Sequence, residues 1–95
     1  MNKKEKTRNA VMVVVDEINK AITHDNTDIL SVSSVEQLVA FKTVFLDVLE
    51  KIDKNNIPLK HERNLGISKI IIDQWPFSIE LGSLIVKAET LYKEI

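Results

Sequence analysis

The chain has 95 residues, 44% of them apolar and 28% charged, with a formal net charge of −1 at pH 7. This size and composition predict one globular domain over residues 1–95, and the charge balance argues against bulk electrostatic binding of nucleic acid. The lack of cysteine excludes a disulfide scaffold, a thiolate nucleophile and a cysteine-ligated zinc site. Only two glycines and two prolines are present, which favours helices with short connections over a turn-rich sandwich or barrel.

A first helix is predicted from Lys4 to Thr23, because its apolar residues recur at spacings of three and four. Basic residues precede an apolar run at residues 10–15, as in a secretory signal peptide. The run ends at the acidic pair Asp16 and Glu17, so it is shorter than the apolar core of a signal peptide. No stretch approaches the ~20 apolar residues of a membrane span. We therefore expect a cytoplasmic protein that does not enter a membrane.

The middle of the chain predicts a turn followed by a second helix. Residues 24–28 are rich in Asn and Asp, which favour turns. Ser34 and Gln37 match a capping box, and the same pattern occurs one residue earlier. The second helix is predicted to run to Lys54. Its wide apolar face predicts a central helix that contacts more than one neighbour.

A third helix is predicted from Leu59 to Gln74. Gly66 lies inside it, either because another helix approaches closely there or because the helix breaks at that point. Pro76 disfavours helical geometry at the preceding residue and so ends this helix. Ser78 is the predicted N-cap of a fourth helix that continues to Ile95.

These elements predict an all-α fold, a compact bundle of about four mostly antiparallel helices. The competing interpretation is an α+β fold with residues 11–15 or 70–72 as strands, since β-branched residues favour strands. The predicted core consists of Val11, Val14, Val15, Ile18, Ile22, Leu38, Phe41, Phe45, Leu49, Ile52, Ile67, Ile70, Ile71, Leu81, Leu84, Ile85, Ala88 and Leu91.

No motif typical of enzyme chemistry occurs in the sequence. His24 and His61 lack the spacing of paired metal ligands, and there is no glycine-rich phosphate loop. Residues 25–28 lack the glycine and the distal glutamate of a calcium loop. Asp73 is the best candidate for acid–base chemistry. It is better explained as a residue in the last turn of the third helix that faces solvent or pairs with Lys69. The sequence therefore predicts a non-enzymatic protein with no metal and no cofactor.

The only Trp lies beside a Phe in an aromatic corner, Trp75-Pro76-Phe77. In one interpretation both rings are buried and join the third helix to the fourth. In the other, Trp75 is partly exposed and anchors a partner protein, and acidic neighbours suit a basic partner. The candidate partner-binding residues are Asp73, Trp75, Phe77 and Glu80.

A helical core followed by a capping serine characterises the last third of the chain. Its residues are Leu65-Gly66-Ile67, Ile71, Asp73-Gln74 and Ser78. In these positions the stretch 61–94 resembles small bacterial immunity proteins of the MafI type, which are encoded beside secreted polymorphic toxins. The aromatic corner departs from that pattern. The resemblance implies a small helical protein that binds and neutralises one cognate toxin in the cytoplasm.

The leading functional hypothesis is therefore a protein-binding module, an immunity protein or inhibitor whose partner is a basic toxin domain. The second hypothesis is a small structural or self-associating protein of bacterial or phage origin, a homodimer through the wide face of the second helix. A DNA-binding regulator that uses the basic residues 3–8 ranks last. No recognition-helix pattern and no stacking aromatics accompany those residues.

Overall fold

The computed structural model describes residues 2–95. Over this range the chain is 74% helical and contains no strand, which confirms the all-α prediction and rules out the α+β alternative. The elements in chain order are α1 (Lys3–Thr23), α2 (Thr27–Leu30), α3 (Val35–Asp53), a 3-10 turn (Lys60–Glu62), α4 (Ile67–Gln74) and α5 (Glu80–Glu94). Both β-branched runs lie in helices, because the apolar spacing of three and four continues beyond them.

The central helix is α1, which packs against both α3 and α5, while α4 packs on α5. The pair α1 and α3 is antiparallel. Arg8 Nε donates to Asp53 Oδ1 at 2.7 Å, and Lys42 Nζ donates to Asn19 Oδ1 at 3.0 Å further along the pair. The second predicted helix corresponds to α3. The prediction that it is the central helix is wrong, because α3 packs mainly on α1. Part of its wide apolar face lies in solvent, at Val35, Val39 and Leu46.

The buried core confirms most of the predicted set. The predicted residues that are buried are Val11, Val14, Ile18, Leu38, Phe41, Phe45, Ile52, Ile67, Ile71, Leu81, Ile85 and Ala88. The other predicted residues are half-buried: Val15, Ile22, Leu49, Ile70, Leu84 and Leu91. The apolar core also includes Ala21, Ile29, Val48, Trp75 and Tyr92, which are outside the predicted core list. The buried face of α5 differs from the prediction because α5 packs against both α1 and α4.

The structure confirms Ser34 as the N-cap of α3. Gln37 N donates to Ser34 Oγ at 3.0 Å, so Ser34 is the N-cap. The Gln37 side chain bonds with the Ser33 hydroxyl. The predicted cap of α5 is wrong, since Ile79 occupies the N-cap position without a side-chain hydrogen bond. Ile79 N donates to Pro76 O at 3.2 Å, and this turn delays the helix beyond Ser78.

The predicted third helix breaks at Gly66, as the alternative interpretation had it, so a continuous helix from Leu59 is wrong. Gly66 has a φ of 76°, in the left-handed region that favours glycine. The close approach of two helices occurs instead at Gly82. A Cβ atom there would lie 3.0 Å from Ile71 Cγ2 and 3.3 Å from Trp75 Cε3. Gly82 therefore sets the distance between α4 and α5.

Replacing Gly82 with alanine is expected to lower the free energy of unfolding by about 1–2 kcal/mol. Overpacking of a core costs about 1–3 kcal/mol, and the higher helix propensity of alanine offsets up to about 1 kcal/mol of that loss. Urea unfolding measures the change. Ser83→Ala, at the exposed neighbouring position, is the control. A Gly82→Ala protein as stable as the control would show that the α4–α5 contact does not require glycine.

Candidate partner-binding surfaces

The turn between α4 and α5, residues 75–79, places its two aromatic rings in opposite environments. Trp75 is 5% exposed and packs near Gly82, whereas Phe77 is 92% exposed. The interpretation with both rings buried therefore holds for Trp75 and not for Phe77. Trp75 joins α4 to α5 as a core residue. Its Nε1–H is buried and has no hydrogen-bond partner in the described part of the chain.

The first of two concave surfaces beside this turn is an acidic groove of about 720 Å³. Its charged lining residues are Glu17 from α1, Asp28 from α2 and Glu80 from α5, and no Lys, Arg or His is among its lining residues. The remaining lining residues are Val13, Asn26, Ile29, Ser31, Pro76, Ser78, Ile79, Leu81 and Leu84. The groove is therefore an open surface with charge of one sign.

The carboxylates of the acidic groove are only partly neutralised. Glu17 Oε1 lies 3.4 Å from Lys20 Nζ, but that ammonium also pairs with Asp16 at 3.2 Å. Asp28 and Glu80 form no ion pair with any residue from 2 to 95. Glu80 lies in the first turn of α5, where the helix dipole favours a negative charge. Asp28 and Glu80 therefore have no compensating cation among the described residues.

The second concave surface is an apolar pocket of about 310 Å³ on the other side of the turn. Ile72, 58% exposed, and Phe77 lie at its rim. Lys87 is the one charged residue of the lining. The other lining residues are Ile71, Trp75, Pro76, Ile79, Gly82, Ser83 and Val86.

The structure divides the four candidate partner-binding residues between these surfaces. Trp75 and Phe77 line the apolar pocket, and Glu80 lines the acidic groove. Asp73 is exposed on α4, lines neither surface, and forms no ion pair with Lys69. Sequence reasoning missed Glu17 and Asp28, because they approach Glu80 only in the folded chain.

One buried carboxylate lies outside both surfaces and has a structural role. Glu89, 1% exposed, accepts hydrogen bonds from Leu65 N at 2.9 Å and Ser68 N at 2.8 Å, and Lys93 Nζ lies 3.5 Å away. Burial raises the pKa of Glu89, but the backbone hydrogen bonds and Lys93 outweigh it and hold the pKa below its usual value. The side chain of Glu89 thus caps the N-terminus of α4, where Gly66 has no side chain to do so.

A buried arginine fixes the segment that precedes this cap. Arg63, 8% exposed, donates from Nε to Pro58 O at 2.7 Å and from its terminal nitrogen to Ile95 O. Arg63 therefore ties the segment between α3 and α4 to the residue that follows α5. The Glu89 carboxylate and the Arg63 guanidinium therefore both make structural hydrogen bonds.

Within residues 2–95, no group of three or more His, Asp or Glu side chains is placed to hold a metal ion. None of the helices in that range combines the length and the apolar character that crossing a bilayer requires. Comparisons of the chain with protein-family models and with curated proteins give no match. The resemblance of the last third to MafI-type immunity proteins therefore stays a prediction.

Proposed function

We propose that this chain is a non-enzymatic protein-binding module, an immunity protein that neutralises a cognate bacterial toxin in the cytoplasm. The observation that carries the proposal is the acidic groove, where three carboxylates surround an open surface whose lining includes no cation. Such a surface attracts a positively charged partner, raises its association rate and disfavours acidic competitors.

The acidic groove complements the kind of site that an inhibitor of this class would cover. A toxin domain that acts on an anionic substrate such as a nucleic acid carries positive charge around its own site. Glu17, Asp28 and Glu80 would face those cations and hold substrate away from them. The resemblance of the stretch 61–94 to MafI-type proteins supports a toxin as this partner.

The experiment that tests the proposal is rescue of toxin-treated cells. The gene for this chain should lie directly beside a large toxin gene. Expression of the chain should protect cells from that toxin, and a pull-down should recover the toxin as one tight partner. A neighbouring toxin that the chain neither binds nor neutralises would refute the immunity function.

The acidic groove can be tested separately with a charge-neutralised double variant, Asp28→Asn with Glu80→Gln. Toxin binding is expected to weaken about tenfold or more, mainly through slower association, and the deficit should shrink at high salt. The matched control is Glu36→Gln with Glu94→Gln, which removes the same charge from exposed positions outside the groove. Equal weakening by both double variants would show that net charge alone steers the partner.

A further inference from the structure

We propose that the acidic groove binds an amphipathic segment of the partner protein, in which arginine or lysine side chains lie among apolar ones, and that Val13 is one of its contact residues. This inference rests on the proposed function, because it takes that segment to belong to the toxin. It goes further in one respect. The proposed function uses only the carboxylates of the groove, whereas here the apolar part of the lining decides which basic segments fit.

The first step is the composition of the groove lining. Three of its residues are acidic, but a larger number are apolar, and these come from both ends of the chain. Val13 is 45% exposed, so part of this apolar surface is uncovered. Burial of such surface by a partner is favourable. The apolar lining residues are Val13, Ile29, Pro76, Ile79, Leu81 and Leu84.

The second step is that the two long helices of the groove each place an apolar side chain beside a carboxylate. Val13 and Glu17 are four residues apart on α1, and Glu80 and Leu84 are four residues apart on α5. Residues at this spacing are neighbours on one face of a helix. A side chain with an apolar stem and a cationic head matches such a pair, and arginine and lysine have this form.

The third step is charge, which selects a basic segment over an acidic or neutral one. Asn26 Oδ1 accepts a hydrogen bond from Ile29 N at 3.1 Å, and Ser31 Oγ donates to Asp28 O at 2.7 Å. These polar groups of the lining are therefore used within α2 and the residues beside it. The carboxylates of Asp28 and Glu80 form no ion pair within the described range. The groove therefore offers negative charge, to which a cationic partner is complementary.

The fourth step is the spread of the carboxylates, which argues against one small cation as the occupant. They belong to three different helices, and within residues 2–95 no three acidic or histidine side chains are placed to hold a metal ion. The groove, at about 720 Å³, is within the roughly 300–1,000 Å³ of sites that take a drug-sized ligand. It therefore has room for several side chains of one protein segment.

Titration of the full 95-residue chain with two synthetic peptides of equal charge tests this occupant. One peptide has leucines between its arginines, and the other has serines in their place. We expect the arginine–leucine peptide to bind at least about tenfold more tightly, also at high salt, because salt does not screen apolar contacts. Equal binding of the two peptides, or equally tight binding of the polyamine spermidine, would overturn the proposal.

A pair of valine substitutions locates the peptide on the surface. Val13→Ser should weaken binding of the arginine–leucine peptide about three- to tenfold, because it removes an apolar contact. Val39→Ser on α3 is the matched control, since Val39 is 42% exposed and lines neither concave surface. Both positions are exposed, so circular dichroism and thermal unfolding should show intact folds. Equal effects of the two substitutions on peptide binding would overturn the proposal.

With the toxin, the two parts of the lining should affect different rate constants. Neutralising Asp28 and Glu80 slows association, whereas Val13→Ser should leave association unchanged and speed dissociation several-fold. The inference and the immunity function can fail separately. Cells protected by a chain that does not bind the arginine–leucine peptide would overturn this inference and leave the immunity function standing. Peptide binding without protection from the neighbouring toxin would refute the immunity function and support the chemistry assigned to the groove.

Discussion

Replacing Trp75 with alanine is expected to lower the free energy of unfolding by about 3–5 kcal/mol, the usual cost of removing a large aromatic side chain from a core. Trp75 is 5% exposed and fills the contact between α4 and α5. Its removal leaves a cavity beside Gly82, where no side chain is available to fill the space. Urea unfolding, monitored by far-ultraviolet circular dichroism, measures the loss.

The control for this experiment lies two residues away. Phe77→Ala is expected to change the stability by no more than about 0.5 kcal/mol, because the ring is 92% exposed. Both variants should be compared at low protein concentration, so that self-association does not contribute. If Phe77→Ala were the more destabilised of the two, the assignment of one ring to the core and the other to the surface would be wrong.

Replacing Glu89 with alanine is expected to cost about 2–3 kcal/mol. The substitution leaves the amides of Leu65 and Ser68 without their acceptor, and a buried donor that loses its partner costs about 1–3 kcal/mol. Glu94→Ala on the same helix is the control, since it removes the same kind of side chain from an exposed position. Equal stabilities of the two variants would show that the cap of α4 contributes little.

The same carboxylate makes the stability depend on pH. The pKa of Glu89 is lower in the folded chain than in the unfolded chain, so the unfolded state binds more protons in acid. Its contribution is present above the ordinary Glu pKa and is lost as the pH falls through the lower folded value. The difference in unfolding free energy between the original chain and Glu89→Ala should therefore shrink on acidification. A constant difference would indicate that the charge of Glu89 is not what matters.

Periodicity was sufficient for α1, and periodicity with a capping serine was sufficient for α3, because both helices are long and the cap of α3 is local. Ser34 lies three residues from the amide that it accepts, so the sequence pattern contains the whole interaction. The start of α4 could not be found in this way. Its cap comes from Glu89, on another helix, and the left-handed Gly66 can break a helix or lie within one.

The site was predictable only in part for a related reason. Trp75 and Phe77 are nearly adjacent in sequence, but Pro76 and the turn that follows send them to opposite environments. Helical periodicity does not apply within a turn, so the sequence left both interpretations open. Asp28 is far from Glu80 in the chain, and only the tertiary packing brings the two carboxylates to one groove.

The cap that Glu89 supplies has a consequence for the order of folding. At eight residues, α4 is too short to persist alone in water, and its N-terminal amides find their acceptor only on α5. The hydrogen bonds between α1 and α3, from Arg8 to Asp53 and from Lys42 to Asn19, lie within the first 53 residues, so we expect this pair to form before α4. We expect the last third to form as one unit when α5 docks, because the cap of α4 is on α5. Both the aromatic corner and the apolar pocket come into existence at that step, and a nascent chain without α5 has neither.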